Sequence, residues 1–460
     1  MGIGGEILVI SKTDLSTWRR FTEKVMIDRV RFRQSDWLPH FTRLKRNASQ
    51  IAAGLADIGS DEERLDPRLF LVWAWCVLMS MPDSWREAYT ALREVGIEEE
   101  MERLRVDGLI MRGLDTVPDN RLRWLAALTR LIDDELASMD YWPEDPARWS
   151  PQQWQPGDYP CFVVPVKRSY RLQNGKEAEY RATRYHALVP SQVGELAIDL
   201  ILTDDSTGDG ESCVWTYGAA VFDDVTLTWR EVGQDEFLLS GAPGPDACDA
   251  IEEQIRMAIA DGCDVLTWPE LTVPPDRLGE IRQALGSNPL GSPKRIPLVI
   301  AGSWHVEDKD GFVNRSEILQ AGGRPLTHCD KRRRFEFMER KEAIVPTCRV
   351  PLIVMDDRLV AVAICLDFCD DRVPDLYADL GVDLVIVPSM GMENTTQAHE
   401  RHAATLQSRH GGVTCLVQQH PYLSPEDQKS GNRGYSFASP PKSPSTSVQN
   451  VRYRKLTAKR

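Results

Sequence analysis

Apolar positions along the chain change period as they go, and each period predicts a different kind of structure. From about residue 11 to 140 the spacing is helical: Leu122, Leu125, Leu128, Ile132 and Leu136 recur at intervals of three and four, on a helix that Asn120 is placed to cap. Asp66-Pro67 opens a helix over the unbroken apolar run 69–79, and Asp83-Ser84 opens another, predicted to end near Gly96. The run 69–79 falls short of the ~18 residues that a spanning helix needs, so it predicts a buried core helix. Past residue 160 the segments CFVVPVKRSYRL and EYRATRYHAL flank Asn174-Gly175 and predict a hairpin, and LAIDLILT and CVWTYGAAVF predict further strands. From about residue 225 a helical stretch, DACDAIEEQIRMAIADG, gives way to short apolar runs suited to buried strands: DVLTW, IPLVIAG, LVAVAIC and DLVIVPS.

These shifts divide the chain into segments. Residues 1–140 read as a helical domain of unknown role. Residues 141–160, YWPEDPARWSPQQWQPGDYP, are dense in Pro, Trp and Gln and read as a linker. Residues 161–224 read as a β-rich connecting region, 225–427 as a mixed domain of strands and helices, and 428–460 as a tail. That last stretch is Ser- and Pro-rich and basic (Lys429, Arg433, Lys442, Arg452, Arg454, Lys455, Lys459, Arg460) with no acidic residue, the pattern of a solvated segment. The predicted class is α+β.

Charge narrows the choice of partner. The 460 residues carry 55 Lys and Arg against 69 Asp and Glu, a net charge of −14, which argues against a bulk surface for nucleic acid or anionic membrane. Nucleic acid enters only through the basic tail, and a small molecule or a protein partner is favoured. Ten cysteines with no CxxC pair indicate reduced thiols. The opening MGIGGEILVIS has neither a basic n-region nor a long apolar core, so the expected location is cytoplasmic.

Three segments set reactive side chains where strands should end. In DVLTWPEL an apolar strand runs into Pro269 and Glu270, and a carboxylate at such a rim is suited to general-base work. In THCDKRRRF, Lys331 follows a predicted strand pair turning at Gly322-Gly323, where its ammonium group can stabilise an oxyanion. The bland alternative for KRRR is a solvated basic face, and the neighbours Glu336, Glu339 and Glu342 weaken a nucleic-acid reading. In LVAVAICLDFCDD a continuous strand delivers Cys365 to a turn. An isolated Cys there is usually a buried hydrophobe, but at a sharp strand-to-helix elbow it becomes a nucleophile. Two other chemistries are set aside. His399-Glu400-Arg401-His402 spaces its histidines by three rather than the four of a zinc helix, and Cys365 with Cys369 lacks the redox spacing.

Taken in order, WPEL, DKRRRF, ICLDF, GVDLVIVPSMG and HAATLQSRHGGVTCLVQQ resemble the nitrilase, or carbon–nitrogen hydrolase, superfamily over roughly residues 225–425. The resemblance implies an αββα sandwich, no cofactor and no metal, a small amide or carbamoyl substrate, and a homo-oligomer. It implies Cys365 as nucleophile, Glu270 as base and Lys331 as stabiliser of the tetrahedral intermediate. A second glutamate is matched by Glu342, from its spacing to Pro346, with Glu339 as the alternative. Leu366, where relatives often carry an aromatic, and Ser389, of the Pro388-Ser389 pair, are the implied substrate-binding positions. Where the family's last strands are expected the sequence reads SFASPPKSPSTSVQN, so the expected sandwich is either shortened or completed by the β-rich stretch before it. The competing reading is a nitrilase-like ligand sensor or assembly module, with the helical domain as a docking surface for a protein partner.

Overall fold

A computed structural model describes residues 12–28, 30, 32–56, 66–107, 118–138, 151–166, 183–203, 214–223, 225, 228–239, 247–287, 295–337, 339–355, 358–370, 375–421, 431–438 and 447–459. The chain divides into two compact units, residues 1–195 and 196–460. Among the described residues no helix is long and apolar enough to cross a membrane.

The first unit is helical, with Lys12–Met26, Gln34–Ala56, Arg68–Met79, Asp83–Thr90, Glu94–Asp107 and Pro118–Ser138. Its core is rich in tryptophan: Trp18, Trp37, Trp73 and Trp124 are all fully buried, and Trp18 stacks on Trp73 with ring centroids 5.0 Å apart. The apolar run 69–79 forms the buried helix expected of it, and the heptad-like leucines of Pro118–Ser138 all face the core. Two helix boundaries differ from expectation. The helix opened by Asp83 stops at Thr90, and Gly96 lies inside the next helix. Asn120 sits within the first turn of its helix, which starts two residues earlier at Pro118.

The presumed linker is also partly structural. Pro151–Trp154 forms a 3-10 turn with Trp154 buried, and the Tyr159 hydroxyl accepts from Trp73 Nε1 at 3.3 Å. Cys161–Pro165 then pairs antiparallel with His186–Pro190, as the hairpin reading requires, while Asn174-Gly175 lies outside the described residues. Asp133 anchors this ribbon: its fully buried carboxylate accepts from the backbone N–H of Tyr185 at 2.9 Å, from that of Arg184, and meets His186 Nδ1 at 2.8 Å.

The second unit is built from two large sheets. Sheet I has seven strands, in the order Trp304–Asp308, Gly311–Gln320, Leu298–Ala301, Val265–Trp268, Val214–Ala220 and Tyr453–Lys459, with Arg324–Asp330 also on Gly311–Gln320. Sheet II runs Val448–Gln449, Gly434–Phe437, Val413–Gln419, Leu384–Met390, Arg358–Val362, Arg349–Met355 and Leu196–Leu202. Strand alternation decides the layers. Val265, Leu298, Ile300 and Ile318 of sheet I share one buried cluster with Ile353, Val360, Val362, Ile386 and Cys415 of sheet II, so these faces pack together. The alternate residues Leu266, Trp268, Val299 and Ala301 turn outward onto Ile251, Ile255 and Ile281 of helices Ala247–Asp261 and Pro275–Gly286. Helix Glu393–His410 covers sheet II. The order of layers is αββα, as expected.

What completes the sandwich differs from the expected division. The β-rich stretch is split: its first hairpin belongs to the first unit, while Leu196–Leu202 and Val214–Ala220 are integral strands of sheets II and I. The supposed tail returns as well. Tyr453–Lys459 pairs along the whole of Val214–Ala220, and Gly434–Phe437 pairs with Val413–Gln419. Its alternation is real though masked by charge: Leu456 and Ala458 face the inter-sheet core, whereas Tyr453 faces the helices. Arg433 and Arg452 both pair with Asp223, and Lys455 Nζ lies 3.7 Å from Asp261 Oδ1, so three of its basic side chains meet carboxylates within the unit.

Candidate active site

The strand Val265–Trp268 ends at Pro269, and the chain swings inward through Leu271 in the left-handed region at φ 57°. Leu271 N–H donates to Ser303 Oγ at 3.1 Å, and Thr272 Oγ1 donates to Pro269 O at 2.7 Å. Gly302, at φ 56°, backs this turn so closely that a Cβ there would sit 2.5 Å from Pro269 O, so only glycine fits. The result is a Glu270 held inside the protein at 2% exposure.

Lys331 follows directly on Arg324–Asp330, with its backbone N–H donating to Asn314 O at 2.9 Å. Its buried Nζ lies 2.7 Å from Glu270 Oε1 and 2.8 Å from Glu342 Oε2. Asn314 Nδ2 braces the same pair, 3.0 Å from Glu270 Oε1 and 2.9 Å from Glu342 Oε1. His305 completes the shell. Its Nδ1 accepts the Leu239 N–H at 2.9 Å, so the ring proton is on Nε2, which donates to Glu342 Oε1 at 2.8 Å. Burial alone would raise the Glu342 pKa, but the Lys331 charge and the His305 hydrogen bond outweigh it and hold the carboxyl below its ordinary value. Burial likewise opposes the Lys331 charge, and the two carboxylates overcome it and raise its pKa. Of the two sequence candidates for the second glutamate, Glu342 joins this cluster, whereas Glu339 is solvent-exposed.

Sheet II supplies the thiol. Arg358–Val362 runs into a 3-10 turn, Cys365–Cys369, and Cys365 itself adopts φ 50°, a left-handed conformation that costs an L-residue on the order of 1 kcal/mol or more. This is the strained elbow geometry that displays a nucleophile at a strand end. The neighbouring parallel strand ends at Met390, whose N–H donates to Glu270 Oε2 at 3.2 Å and whose carbonyl lies 3.7 Å from Cys365 Sγ. Met390 thus ties the carboxylate from one sheet to the thiol from the other. Burial raises the Cys365 pKa, the Glu270 charge adds to that, and Lys331 acts against it. The resting group is a protonated thiol.

Glu270, Lys331, Glu342 and Cys365 together open onto one cavity of about 150 Å³. Leu366 lines it. Ser389 is not among the lining residues. It is fully buried, with Oγ 3.2 Å from both His399 Nε2 and Gln418 Oε1, and its side chain also hydrogen-bonds Cys365, acting against the rise that burial imposes on the thiol pKa. The rest of the basic run is also engaged: the Arg332 backbone N–H donates to Asp367 Oδ2 at 2.9 Å, its Nη2 donates to the Tyr377 hydroxyl at 2.9 Å, and Arg333 and Arg334 meet Asp370 and Glu236. His399 lies 3.2 Å from Cys369 Sγ through Nδ1, and among the described residues no group of three or more His, Cys, Asp or Glu is arranged to hold a metal ion.

Sequence reasoning did not single out His305, Asn314 or Met390 as parts of the site. Asn314 carries a faint signal, since it lies in Gly311–Gln320, the first strand of the pair that leads to the lysine. His305 and Met390 carry none, because their roles depend on which strand ends the two sheets bring together.

The second unit is thus an αββα sandwich whose strand ends gather one cluster of buried ionisable groups and a thiol. No protein-family model matches the sequence, and no curated protein matches it. Among solved structures, the chain is similar to an amidase of the nitrilase superfamily from Nesterenkonia AN1, at 16% identity over 53% of this chain and 90% of that one, with a TM-score of 0.36. It is also similar to Saccharomyces cerevisiae Nit3, a member of branch 10 of that superfamily, at 14% identity over 53% and 89% and a TM-score of 0.37. A third is the glutamine-dependent NAD+ synthetase of Acinetobacter baumannii, at 14% identity and a TM-score of 0.37, where the match spans 53% of this chain and only 45% of the synthetase.

Proposed function

We propose that the second unit hydrolyses a non-peptide carbon–nitrogen bond in a small amide or carbamoyl compound. The observation that carries this reading is the meeting of a strained Cys365 with the Glu270–Lys331–Glu342 cluster at one cavity. On attack, Cys365 Sγ bonds to the carbonyl carbon while its proton passes to Glu270, and the electron pair moved onto oxygen is met by Lys331 Nζ. Collapse of the tetrahedral intermediate breaks the C–N bond, and Glu270 returns the proton to the departing ammonia or amine. Water, deprotonated by Glu270, then attacks the thioester and releases the acid and the thiol. Coupling thiol deprotonation to attack suits a buried, neutral Cys365 better than a standing thiolate does. Glu342, tied to Lys331, His305 and Asn314, positions the lysine.

The test is intact-mass spectrometry of wild type and Cys365→Ala with a panel of amides, carbamoyl compounds and nitriles, with ammonia release followed in parallel. A Cys365-dependent acyl adduct and ammonia release are expected. Ammonia release of equal rate in Cys365→Ala removes the assignment, and ligand binding without any adduct points instead to a sensing role. A homo-oligomer is part of the same proposal, and light scattering checks it.

A further inference from the structure

The cavity over Cys365 is chemically one-sided. Phe237, Leu239, Leu271, Leu366 and Met390 form its inner wall, and Trp229 meets Phe237 edge-to-face with ring centroids 5.1 Å apart. The rim is apolar too, where Trp229, Phe335 and Met392 are 42%, 38% and 37% exposed. Among the described lining residues the charged groups are Glu270, Lys331 and Glu342, and the lysine already bridges both carboxylates. No other cation lines the cavity among those residues, so among them a second carboxylate on a substrate would meet an excess of negative charge, with the Thr395 hydroxyl as the one neutral polar side chain apart from Cys365 and the Trp229 ring. An ionic group placed there would lose its water without compensation.

Resting on the hydrolase reading above, we infer that the group attached to the scissile carbonyl is uncharged and apolar. The apolar inner wall suits an aromatic or aliphatic group there. The site selects simple aromatic or aliphatic amides and disfavours the monoamides of dicarboxylic acids and carbamoylated amino acids.

The experiment compares two halomethyl ketones of matched length on the full chain: neutral 1-chloro-2-hexanone and anionic 5-chloro-4-oxopentanoate. Each forms a sulfur–carbon bond as chloride leaves with its electron pair and the thiol proton is lost to the site base or water. Labelling is located at Cys365 by peptide mass, and each rate is divided by the rate of the same probe with glutathione. The neutral probe is expected to label Cys365 faster by about tenfold or more, the scale of an unpaired charge in a poorly hydrated site. Met392→Lys, which adds a cation at the exposed rim, is expected to narrow that ratio. A ratio below tenfold, or one that Met392→Lys leaves unchanged, overturns the inference while the reactive cysteine stands. Labelling of Cys365 by neither probe faster than glutathione overturns both the inference and the hydrolase reading on which it rests.

Discussion

Replacing Lys331 with Met tests the electrostatics of the cluster without reference to any reaction. The substitution keeps an unbranched chain of similar bulk and removes the cation that stands 2.7 Å and 2.8 Å from two buried carboxylates. Glu270 and Glu342 would then share only Asn314 Nδ2, at 3.0 Å and 2.9 Å, and two like charges so close do not both stay ionised. The pair takes up one proton, and the cost of that proton bounds the electrostatic loss. With an unfolded Glu pKa of about 4.3 and about 1.36 kcal/mol per pH unit, the loss is roughly 3.7 kcal/mol at pH 7 and roughly 1 kcal/mol at pH 5.

The sign of the pH dependence is the sharper readout. In the wild type the Glu342 pKa is depressed, so its contribution is full above the unfolded value and is lost as pH falls through the folded one. In Lys331→Met the pair's upper pKa is raised, so stability is full below the unfolded value and is lost as pH rises. Urea unfolding of both proteins at pH 5, 6, 7 and 8 measures the difference. A loss below about 1 kcal/mol at pH 7, or one that grows on acidification, would refute the argument that Lys331 neutralises two buried charges.

Other substitutions probe the same geometry and the rest of the chain. Glu270→Gln is expected to block turnover and Cys365 acylation while leaving the melting temperature within a few degrees, which parallel kinetics and calorimetry measure; normal turnover would remove Glu270 as the base. His305→Ala deprives the Leu239 N–H of its acceptor and Glu342 of a donor, and should cost about 2–4 kcal/mol in chemical denaturation. Asp133→Ala should lower the stability of the first unit by about 3 kcal/mol or more, because His186 and two backbone N–H groups lose their acceptor, and hydrogen exchange localises the effect. Burial, aided by the His402 charge, lowers the His399 pKa from 6.5 to about 3. The folded state therefore binds fewer protons between those values, and stability is full above pH 6.5 and falls on acidification by up to about 1.4 kcal/mol per unit. His399→Gln should flatten that slope, and an unchanged pH profile would contradict it.

Much of this site was legible in the residues themselves. Glu270 and Cys365 stand out because each lies within three residues of a segment whose apolar run identifies a strand, and Lys331 because it directly follows a strand pair whose turn is marked by Gly322-Gly323, and strand ends are where such folds place chemistry. Glu342 is preferred to Glu339 through the family resemblance, by its spacing to Pro346, and Glu342 ends the strand Arg340–Glu342, which pairs with Glu336–Phe337, with its carboxylate in the cluster. The boundary positions were less legible. Tyr453–Lys459 reads as a charged tail because its apolar face has only Leu456 and Ala458, too few to mark a strand without its partner Val214–Ala220.

By itself, then, the sequence determined the elements: local periodicity and strand-end chemistry depend on residues a few positions apart, and these are written consecutively. The tertiary structure alone decided which elements share a sheet and which ends meet. Asn314, His305 and Met390 enter the site only because strands far apart in the chain are brought into register, and Tyr453–Lys459 becomes a strand only because a seven-residue partner more than 230 positions earlier supplies its hydrogen bonds. Those are long-range backbone pairings and buried charge balances, whose energies come from the assembled sandwich and leave no mark on the neighbouring residues.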